Sequence, residues 1–404
     1  MQASLSSMTS PSPSVRSARA SGLRIAVVTE TYPPEVNGVA MTTGRLLDGL
    51  MRRGHRIMLV RPRQGRADQA RDSRSFSEML VRGVPLPRYA GLRIGLPATG
   101  SLTRLWARER PHIVHVVTEG PLGRSALLAA RRLHIPASSA FHTNFHSYSK
   151  HYGFGLLTPV VAAYLRHFHN QAACTFVATH ELEAQLAQAG YRGLKVVARG
   201  VDTELFTPAR RSVELRRAWG ASDHDLVVLY VGRLAPEKNM PVVFSAFDQV
   251  RRRAPTARLV LVGNGPQRAE LEKRHRNHIF AGMRHGDDLA THYASGDLFL
   301  FPSLTETFGN VTLEAMASGL AVVAYDYAAA REHIVHLRSG MLASMDDADA
   351  FSTFAAEVGA DEALREKLRH GARAVALGIS WDKVVDDLAE ALSGLALPLE
   401  HAHA

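Results

Sequence analysis

Cysteine is nearly absent from this chain of 404 residues, which contains only Cys174. A single thiol cannot form an intrachain disulfide, and it cannot build a zinc site from cysteines. Long apolar runs are absent as well, since no segment approaches the ~18 residues that a membrane-spanning helix requires. A chain without disulfides is typical of a reducing compartment, so we expect a cytoplasmic protein.

Acidic residues are scarce in the first half of the chain. Residues 1–200 contain 26 Lys and Arg but only 10 Asp and Glu, whereas residues 201–404 contain 22 and 28. The formal charge is therefore +16 in the first half and −6 in the second. This asymmetry indicates an anionic partner of the first half, a membrane surface or nucleic acid, unless it reflects only the arginine-rich composition of a GC-rich genome.

Hydrophobic residues make up 46% of the chain and charged residues 21%, which is typical of globular domains. Residues 1–22 differ, because they contain eight serines and no acid. We expect a disordered tail there, with a targeting segment or a later start at Met8 as alternatives. Thereafter short apolar strands alternate with helical stretches, a pattern that predicts parallel sheets covered on both faces. The strands are predicted at Leu23–Thr29, Arg56–Val60, Ile113–Val117, Ala137–Phe141, Thr175–Ala178, Lys195–Ala198, Leu226–Val231, Ala257–Val262, Ile279–Gly282, Leu298–Pro302 and Ala321–Ala324.

The strand pattern restarts after a polar interval at Asp202–Asp225. We therefore predict two doubly wound α/β domains, at residues 23–205 and 206–377, followed by a helical stretch at Trp381–Leu392. In open parallel sheets, ligands bind at the carboxyl ends of the strands. The residues that follow each strand are therefore the candidates for a functional site.

In the second domain, two cations follow the strand that ends at Val231. Arg233 and Lys238 lie five residues apart on one loop, where a guanidinium and an ammonium could hold a diphosphate. Gly263 and Gly265 follow the next strand and permit close approach of the backbone to a phosphate, although a tight turn alone would also explain them.

The densest candidate site follows Phe301. Glu306 lies in a loop, Asn310 is the expected N-cap of a helix, and Glu314 lies one turn inside it. A helix N-terminus binds anions, and carboxylates beside it are suited to sugar or ribose hydroxyls. The backbone amides expected to face the anion are those of Val311, Thr312 and Leu313.

In the first domain, Gly38 opens a helix and His142 follows a strand. The interval His142–His169 contains five histidines together with aromatic and basic residues. It lacks a carboxylate cluster, so an interface or a lipid headgroup site is favoured over a metal site. The two Asp-x-Asp patterns, Asp223–Asp225 and Asp347–Asp349, are interpreted as caps rather than metal ligands.

These residues together resemble glycosyltransferase family 4, the retaining enzymes of the GT-B fold, over roughly residues 23–392. The most specific match is the Glu306-x7-Glu314 motif, and Gly232-Arg233-Leu234 with Lys238 supports it. Val36-Asn37-Gly38-Val39 and Phe141-His142-Thr143-Asn144 are similar to bacterial mannosyltransferases that use GDP-mannose and glycolipid acceptors. Two glycine pairs of the family are replaced here, by Asn37-Gly38 and by Ala328-Ala329.

The resemblance implies two Rossmann-like domains facing across a cleft, with the final helix, in residues 378–404, returning to the first domain. It implies that Arg233 and Lys238 hold the leaving diphosphate, that Glu306 and Glu314 hold sugar and ribose hydroxyls, and that His142 reaches the sugar. Gly38, Gly263, Gly265 and Asn310 belong to the donor site on the same basis.

A nucleotide-sugar donor, a lipid or saccharide acceptor and an anionic membrane surface are the expected partners, with no metal, no other cofactor and no nucleic acid. The enzyme is expected to act on the inner face of the membrane. A UDP-sugar-dependent glycolipid synthase is the main alternative, and a nucleotide-sugar epimerase, a glycoside hydrolase or a nucleic-acid-binding protein are lesser ones.

Overall fold

The structure is a computed structural model that describes residues 22–35, 37–85, 93–142 and 158–396. The predicted tail, apart from Gly22, and the greater part of the His142–His169 interval lie outside these residues. Helices and strands are numbered below over the described residues alone. Two parallel sheets and one short hairpin form the framework.

The first domain is built on a parallel sheet of seven strands in the order β3-β2-β1-β6-β7-β8-β9. β1 lies between β2 and β6, where Val27 is in register with Leu59 of β2 and with His115 of β6. The strands are β1 (Arg24–Val28), β2 (Arg56–Pro62), β3 (Phe76–Val81), β6 (Ile113–Val116), β7 (Ala137–Ala140), β8 (Cys174–Val177) and β9 (Leu194–Val196). The antiparallel hairpin is β4 (Gly83–Pro85) and β5 (Arg93–Gly95). The helices are α1 (Gly38–Arg52), α2 (Thr99–Glu109), α3 (Pro121–Arg132), α4 (Thr158–His169) and α5 (His180–Gln188).

The second domain is built on a parallel sheet of six strands in the order β12-β11-β10-β13-β14-β15. Its strands are β10 (Val227–Val231), β11 (Arg258–Val262), β12 (Ile279–Gly282), β13 (Leu298–Phe301), β14 (Ala321–Tyr325) and β15 (Met341–Ala343). Its helices are α6 (Val213–Ala218), α7 (Met240–Arg253), α8 (Arg268–Arg274), α9 (Gly286–Ala294), α10 (Asn310–Ala317), α11 (Ala328–His333), α12 (Ala348–Ala360) and α13 (Glu362–Leu377). All five residues of β10 and all five of β14 are buried, as expected for central strands covered by helices on both faces.

The last helix, α14 (Trp381–Ala396), returns to the first domain. It packs against α1, where a Cβ on Gly49 would lie only 2.5 Å from a methyl group of Val385. Arg53 at the end of α1 also pairs with Asp386, at 2.5 Å. One hydrophobic cluster of the first domain therefore combines residues of β1 and α1 with residues of α14.

The chain passes between the two domains at two adjacent segments. The amide of Val201 donates to the carbonyl of Ile379 at 3.2 Å, and Gly200 lies against the backbone of Trp381, where a Cβ would be 2.6 Å from the amide nitrogen. Arg373 ties the junction to the second domain by donating to the carbonyls of Phe206 and Ala317. The close approach of Trp381 gives Gly200, the glycine of the Gly200-Val201-Asp202 motif, a packing role.

The structure agrees with the predicted alternation of strands and helices, with three additions. β3, the β4–β5 hairpin and β15 were not expected from the sequence. β3 lies at the edge of its sheet and is buried only at its two ends, so it lacks the continuous apolar run of an internal strand. Asp347 does cap α12, by accepting from the amide of Ala350. Asp225 precedes β10 and accepts from the amide of Ser222 in the turn before it.

Candidate active site

Two loops at the carboxyl edge of the second sheet bring Lys238 and Glu306 together. Lys238 follows β10, at the end of a short 3₁₀ turn, and Glu306 follows β13. The ammonium group of Lys238 forms an ion pair with the Glu306 carboxylate and also donates to Ser303 Oγ at 3.3 Å and to the Thr305 carbonyl at 3.4 Å. The side chains of the pair are only 13% and 17% exposed, so both charges lie largely out of water.

Arg233 lies on the same loop as Lys238. Its guanidinium is 3.7 Å from the carboxylate of Glu237, which is buried. Each cation of this loop thus faces a carboxylate at the edge of the sheet. Two cations held in place by short-range partners are suited to a ligand with two adjacent negative charges, such as a diphosphate.

The glycines of the site allow two loops to pack directly against each other. A Cβ on Gly263 would lie 1.9 Å from the carbonyl oxygen of Gly232, and one on Gly265 would lie 2.2 Å from that of Leu234. Gly232 and Gly263 also have φ values of +156° and +138°, which other residues rarely adopt. A packing role therefore accounts for Gly263 and Gly265, and they border the loop that carries Arg233.

The helix that follows Glu306 begins one residue earlier than its sequence suggests. Gly309, with a φ of +92°, is the N-cap of α10, and no side chain caps this end. The expected cap Asn310 is wrong, because it is already the first helical residue, and the left-handed turn that starts the helix favours glycine. Among the three amides expected to face an anion, that of Thr312 donates to the Gly309 carbonyl at 3.0 Å. The amides of Val311 and Leu313 belong to the same first turn.

Glu314 lies one turn inside α10 and accepts from the hydroxyl of Tyr293 at 2.9 Å. Burial raises the pKa of its carboxyl group, while this hydrogen bond and the nearby Arg45 of the first domain lower it. Arg45 itself pairs with Asp202 of the junction at 3.1 Å. Neither Tyr293 nor Arg45 was found from the sequence, because each lies within an ordinary helical pattern and the fold alone brings it to Glu314.

A second set of contacts joins the carboxyl edges of the two sheets. Glu181, in the first turn of α5, accepts from the amide of Ala328 at 3.2 Å and pairs with Arg331 at 2.6 Å. Glu332 accepts from the amide of His180 at 2.9 Å. Ala328, the residue in place of a family glycine, has a φ of +51°, in the left-handed region that favours glycine. The two edges therefore face each other across the site.

In the first domain, His142 follows β7, and Gly38 begins α1, where the side chain of Asn37 caps the helix by accepting from the amide of Ala40. Gly38 is exposed, and apart from its chain neighbours and the backbone of its own helix, no atom of the described residues lies within 4 Å of the position of an added Cβ. His142 accepts a hydrogen bond from Arg199 at 2.8 Å. Arg199 was missed by sequence reasoning, since an arginine before the junction carries no local signal.

Glu30 follows β1 and is a further carboxylate at this edge. It accepts from the amide of Leu122 at 3.3 Å, beside Gly120, where a Cβ would lie 2.0 Å from its carboxylate. Burial raises the pKa of Glu30 to about 7, and the charge of Glu119 adds to this effect. Among residues 22–35, 37–85, 93–142 and 158–396, no group of three or more His, Cys, Asp or Glu side chains is arranged to hold a metal ion.

Comparisons with known proteins identify the family of this chain. The family described as Glycosyltransferase Family 4 matches residues 36–205, and the one described as Glycosyl transferases group 1 matches residues 225–361. The chain is 34% identical, over 378 residues, to a GDP-mannose-dependent alpha-mannosyltransferase of Mycobacterium tuberculosis, covering 91% of this chain and 95% of the relative. It is 32% identical, over 308 residues, to the sulfoquinovosyl transferase SQD2 of Arabidopsis thaliana, covering 74% and 59%.

Solved structures show the same fold at low sequence identity. Sucrose-phosphate synthase of Thermosynechococcus elongatus superposes with a TM-score of 0.77 at 18% identity, over 92% of this chain and 99% of that one. HepE of Anabaena, solved with UDP and glucose, gives a TM-score of 0.70 at 18% identity, over 92% and 100%. Within the described part of the chain, the helices are too short or too polar to cross a bilayer. The chain therefore belongs to glycosyltransferase family 4: it has the GT-B fold and is a retaining hexosyltransferase.

Proposed function

We propose that this enzyme transfers a mannosyl group from GDP-mannose to a lipid-linked acceptor at a membrane surface. The observation that carries the proposal is the meeting of Lys238 and Glu306 at the ends of β10 and β13, beside Arg233. It supports a diphosphate site next to a carboxylate that can accept from sugar hydroxyls. The mannosyl specificity is supported by the relatives of three bacterial species that carry the name GDP-mannose-dependent alpha-mannosyltransferase, at 31–34% identity.

In the reaction, the bond between the anomeric carbon and the phosphate oxygen breaks, and the acceptor oxygen forms a bond on the same face of the sugar. Negative charge grows on the leaving diphosphate, where Arg233, Lys238 and the first turn of α10 stabilise it. An oxygen of the leaving phosphate takes the proton of the acceptor hydroxyl. Because two cations balance the diphosphate, the proposal includes no metal ion.

Other residues bind parts of the donor that are remote from the reacting bond. Glu306 can exchange its ion pair with Lys238 for hydroxyl groups of the sugar once the diphosphate neutralises the ammonium group. Glu314 accepts from the Tyr293 hydroxyl, and in this proposal it also accepts from a ribose hydroxyl. Gly38 and His142 approach from the first domain, and His142 contributes a ring nitrogen toward the sugar.

A lipid acceptor and peripheral attachment are supported by the charge of +16 in the first half of the chain. Each Lys or Arg near an anionic leaflet contributes about 1 kcal/mol of attraction within a Debye length. Relatives include an alpha-(1-6)-phosphatidylinositol monomannoside mannosyltransferase of Mycobacterium tuberculosis, 28% identical over 400 residues. A soluble saccharide acceptor would not require this charge.

The second candidate is a glycolipid synthase that uses a UDP-sugar. It is favoured by the similarity to SQD2 and by 27% identity, over 318 residues, to an alpha-monoglucosyldiacylglycerol synthase of Streptococcus pneumoniae. The family glycine pair is replaced by Ala328-Ala329, the first two residues of α11, at the edge where the donor is expected.

The deciding experiment measures donor and acceptor together. Purified protein is incubated with radiolabelled GDP-mannose, UDP-glucose or UDP-sulfoquinovose and a total lipid extract, and the label is partitioned into butanol. We expect label in the lipid phase from GDP-mannose alone, released by an α-mannosidase. Transfer from a UDP-sugar would overturn the donor assignment, and label confined to the aqueous phase would overturn the lipid acceptor. Lys238→Met serves as the inactive control.

A further inference from the structure

Arg199 is a buried arginine whose charge no carboxylate balances within the described ranges. Arg199 is 8% exposed and lies in the segment that leads from β9 to the second domain. Burial lowers the pKa of its guanidinium to about 10. Its one hydrogen bond among the described residues is the contact of Nη2 with Nδ1 of His142, at 2.8 Å.

This contact fixes the protonation of the His142 ring. A guanidinium group has only N–H donors, so Nδ1 of His142 must accept with its lone pair. A neutral imidazole carries one proton, which is therefore on Nε2. The protonated ring would place an N–H against the N–H of Arg199, so the contact also opposes the charged form.

The other titratable groups around His142 also disfavour the charged form of its ring. The ring faces His115 of β6 and His169 at the end of α4 as well as Arg199, and none of these three side chains is anionic. Glu119, at 3.5 Å, is paired with His169. Burial first, and the charge of Arg199 next, hold the pKa of His142 well below its usual range. His142 and Arg199 both line a cavity of about 40 Å³ under the carboxyl edge of the first sheet.

We propose that Arg199 is a positioning residue for sugar transfer, which holds His142 as a neutral ring with its proton on Nε2. The role rests on the proposed function of His142 as a contact of the donor sugar. In this form Nε2 donates a hydrogen bond to a sugar hydroxyl and has no lone pair with which to take a proton. His142 therefore does not act as the base for the acceptor hydroxyl, in agreement with removal of that proton by the leaving phosphate.

Two variants of Arg199 separate positioning from simple structural support. Arg199→Met removes the donor to Nδ1 and one of the two main causes of the low pKa of His142, so the ring can carry its proton on either nitrogen and its pKa rises, although burial still holds it below the usual range. We expect kcat to fall roughly 10- to 100-fold at pH 7. We also expect a loss of kcat toward pH 5.5 that the wild type lacks, because the ring of the variant takes up a proton at a higher pH than the wild-type ring does. Arg199→Lys retains a donor-only cation and should restore a flat profile from pH 5.5 to 8 with part of the rate.

A matched control is Arg373→Met, which removes another partly buried arginine of the same junction that donates only to carbonyl groups. It should lower the free energy of unfolding and leave the pH profile of kcat unchanged. A loss of kcat in Arg199→Met with the same pH profile as the wild type would overturn the proposal.

A spectroscopic measurement tests the same point without an activity assay. In ¹⁵N-histidine-labelled wild-type protein, the signals missing from His142→Asn identify the His142 ring. We expect a protonated Nε2 and an unprotonated Nδ1 that persist from pH 5.5 to 8, and averaging of the two in Arg199→Met. A wild-type ring protonated on Nδ1 would refute the inference even if the donor sugar proved not to be mannose.

Discussion

Replacing Lys238 by methionine removes the ammonium group that pairs with Glu306 and that we propose to contact the diphosphate of the donor. The stem of the side chain is retained, so packing changes little. The pair is 13% and 17% exposed, and opposite charges about 4 Å apart at an effective dielectric of about 20 attract by ~4 kcal/mol. Since removal of one partner also leaves a largely buried carboxylate unbalanced, we expect the free energy of unfolding to fall by ~3 kcal/mol.

The activity of Lys238→Met should fall further than its stability suggests. Loss of one group that stabilises the leaving charge costs on the order of 10²–10³ in kcat. Adding Glu306→Gln to Lys238→Met should recover ~2 kcal/mol of stability, because the unbalanced carboxylate disappears, without recovering transfer. Urea unfolding followed by tryptophan fluorescence gives the first quantity, and release of the nucleoside diphosphate gives the second.

The matched control is Lys383→Met, whose partner Asp387 lies on the surface of α14 with side chains 73% and 47% exposed. That ion pair should contribute no more than about 0.5 kcal/mol, and its loss should leave kcat unchanged. If Lys238→Met turned over at a rate close to that of the wild type, the assignment of Lys238 to the diphosphate would be wrong. Purely additive losses in the double variant would refute the coupling between Lys238 and Glu306.

Four further outcomes are expected. Transfer should persist in EDTA, and a loss restored by Mg²⁺ or Mn²⁺ would contradict a metal-free site. The full chain should sediment with anionic vesicles at 50 mM salt and be released at 500 mM, but should ignore neutral vesicles. Burial lowers the pKa of His115 from 6.5 to about 4. The free energy of unfolding should therefore fall by about 3 kcal/mol as the pH decreases from 6.5 to about 4, because the unfolded chain takes up a proton there and the folded chain does not. Urea titrations of His115→Gln should lack this loss. Ala328→Gly should raise the free energy of unfolding by about 0.5 kcal/mol. Glycine relieves the strain of an alanine in the left-handed region, ~1–2 kcal/mol, and this gain exceeds the ~0.5–1 kcal/mol that glycine costs in backbone entropy. Unchanged or lower stability would argue against strain at Ala328.

The central strands of both sheets could be predicted from the sequence because burial on both faces leaves a continuous apolar run, as in Val227–Val231. Edge strands carry no such signal. β3 and β15 were missed because each is short or only partly buried, and their pairing partners are set by the whole fold rather than by local residues.

The residues of the candidate site also divide into those that could be assigned from the sequence and those that could not. Residues that follow a strand, such as Lys238 and Glu306, could be assigned to one edge from the order of the elements. The residues that orient them could not, because Tyr293, Arg45 and Arg199 come from elsewhere in the chain and meet their partners only through packing. The cap at Gly309 was misassigned to Asn310 because side-chain preference was given more weight than the left-handed backbone that glycine permits.

The return of α14 to α1 has a consequence for synthesis of the protein. The first domain is translated up to about residue 205, yet the surface around Gly49 that receives Val385 stays uncovered until the last helix emerges. At ~5–20 residues per second, the intervening 190 or so residues take roughly 10–40 s. During that interval the nascent chain exposes an apolar groove to solvent, so the first domain should depend on chaperones more than the second, which contains its own core.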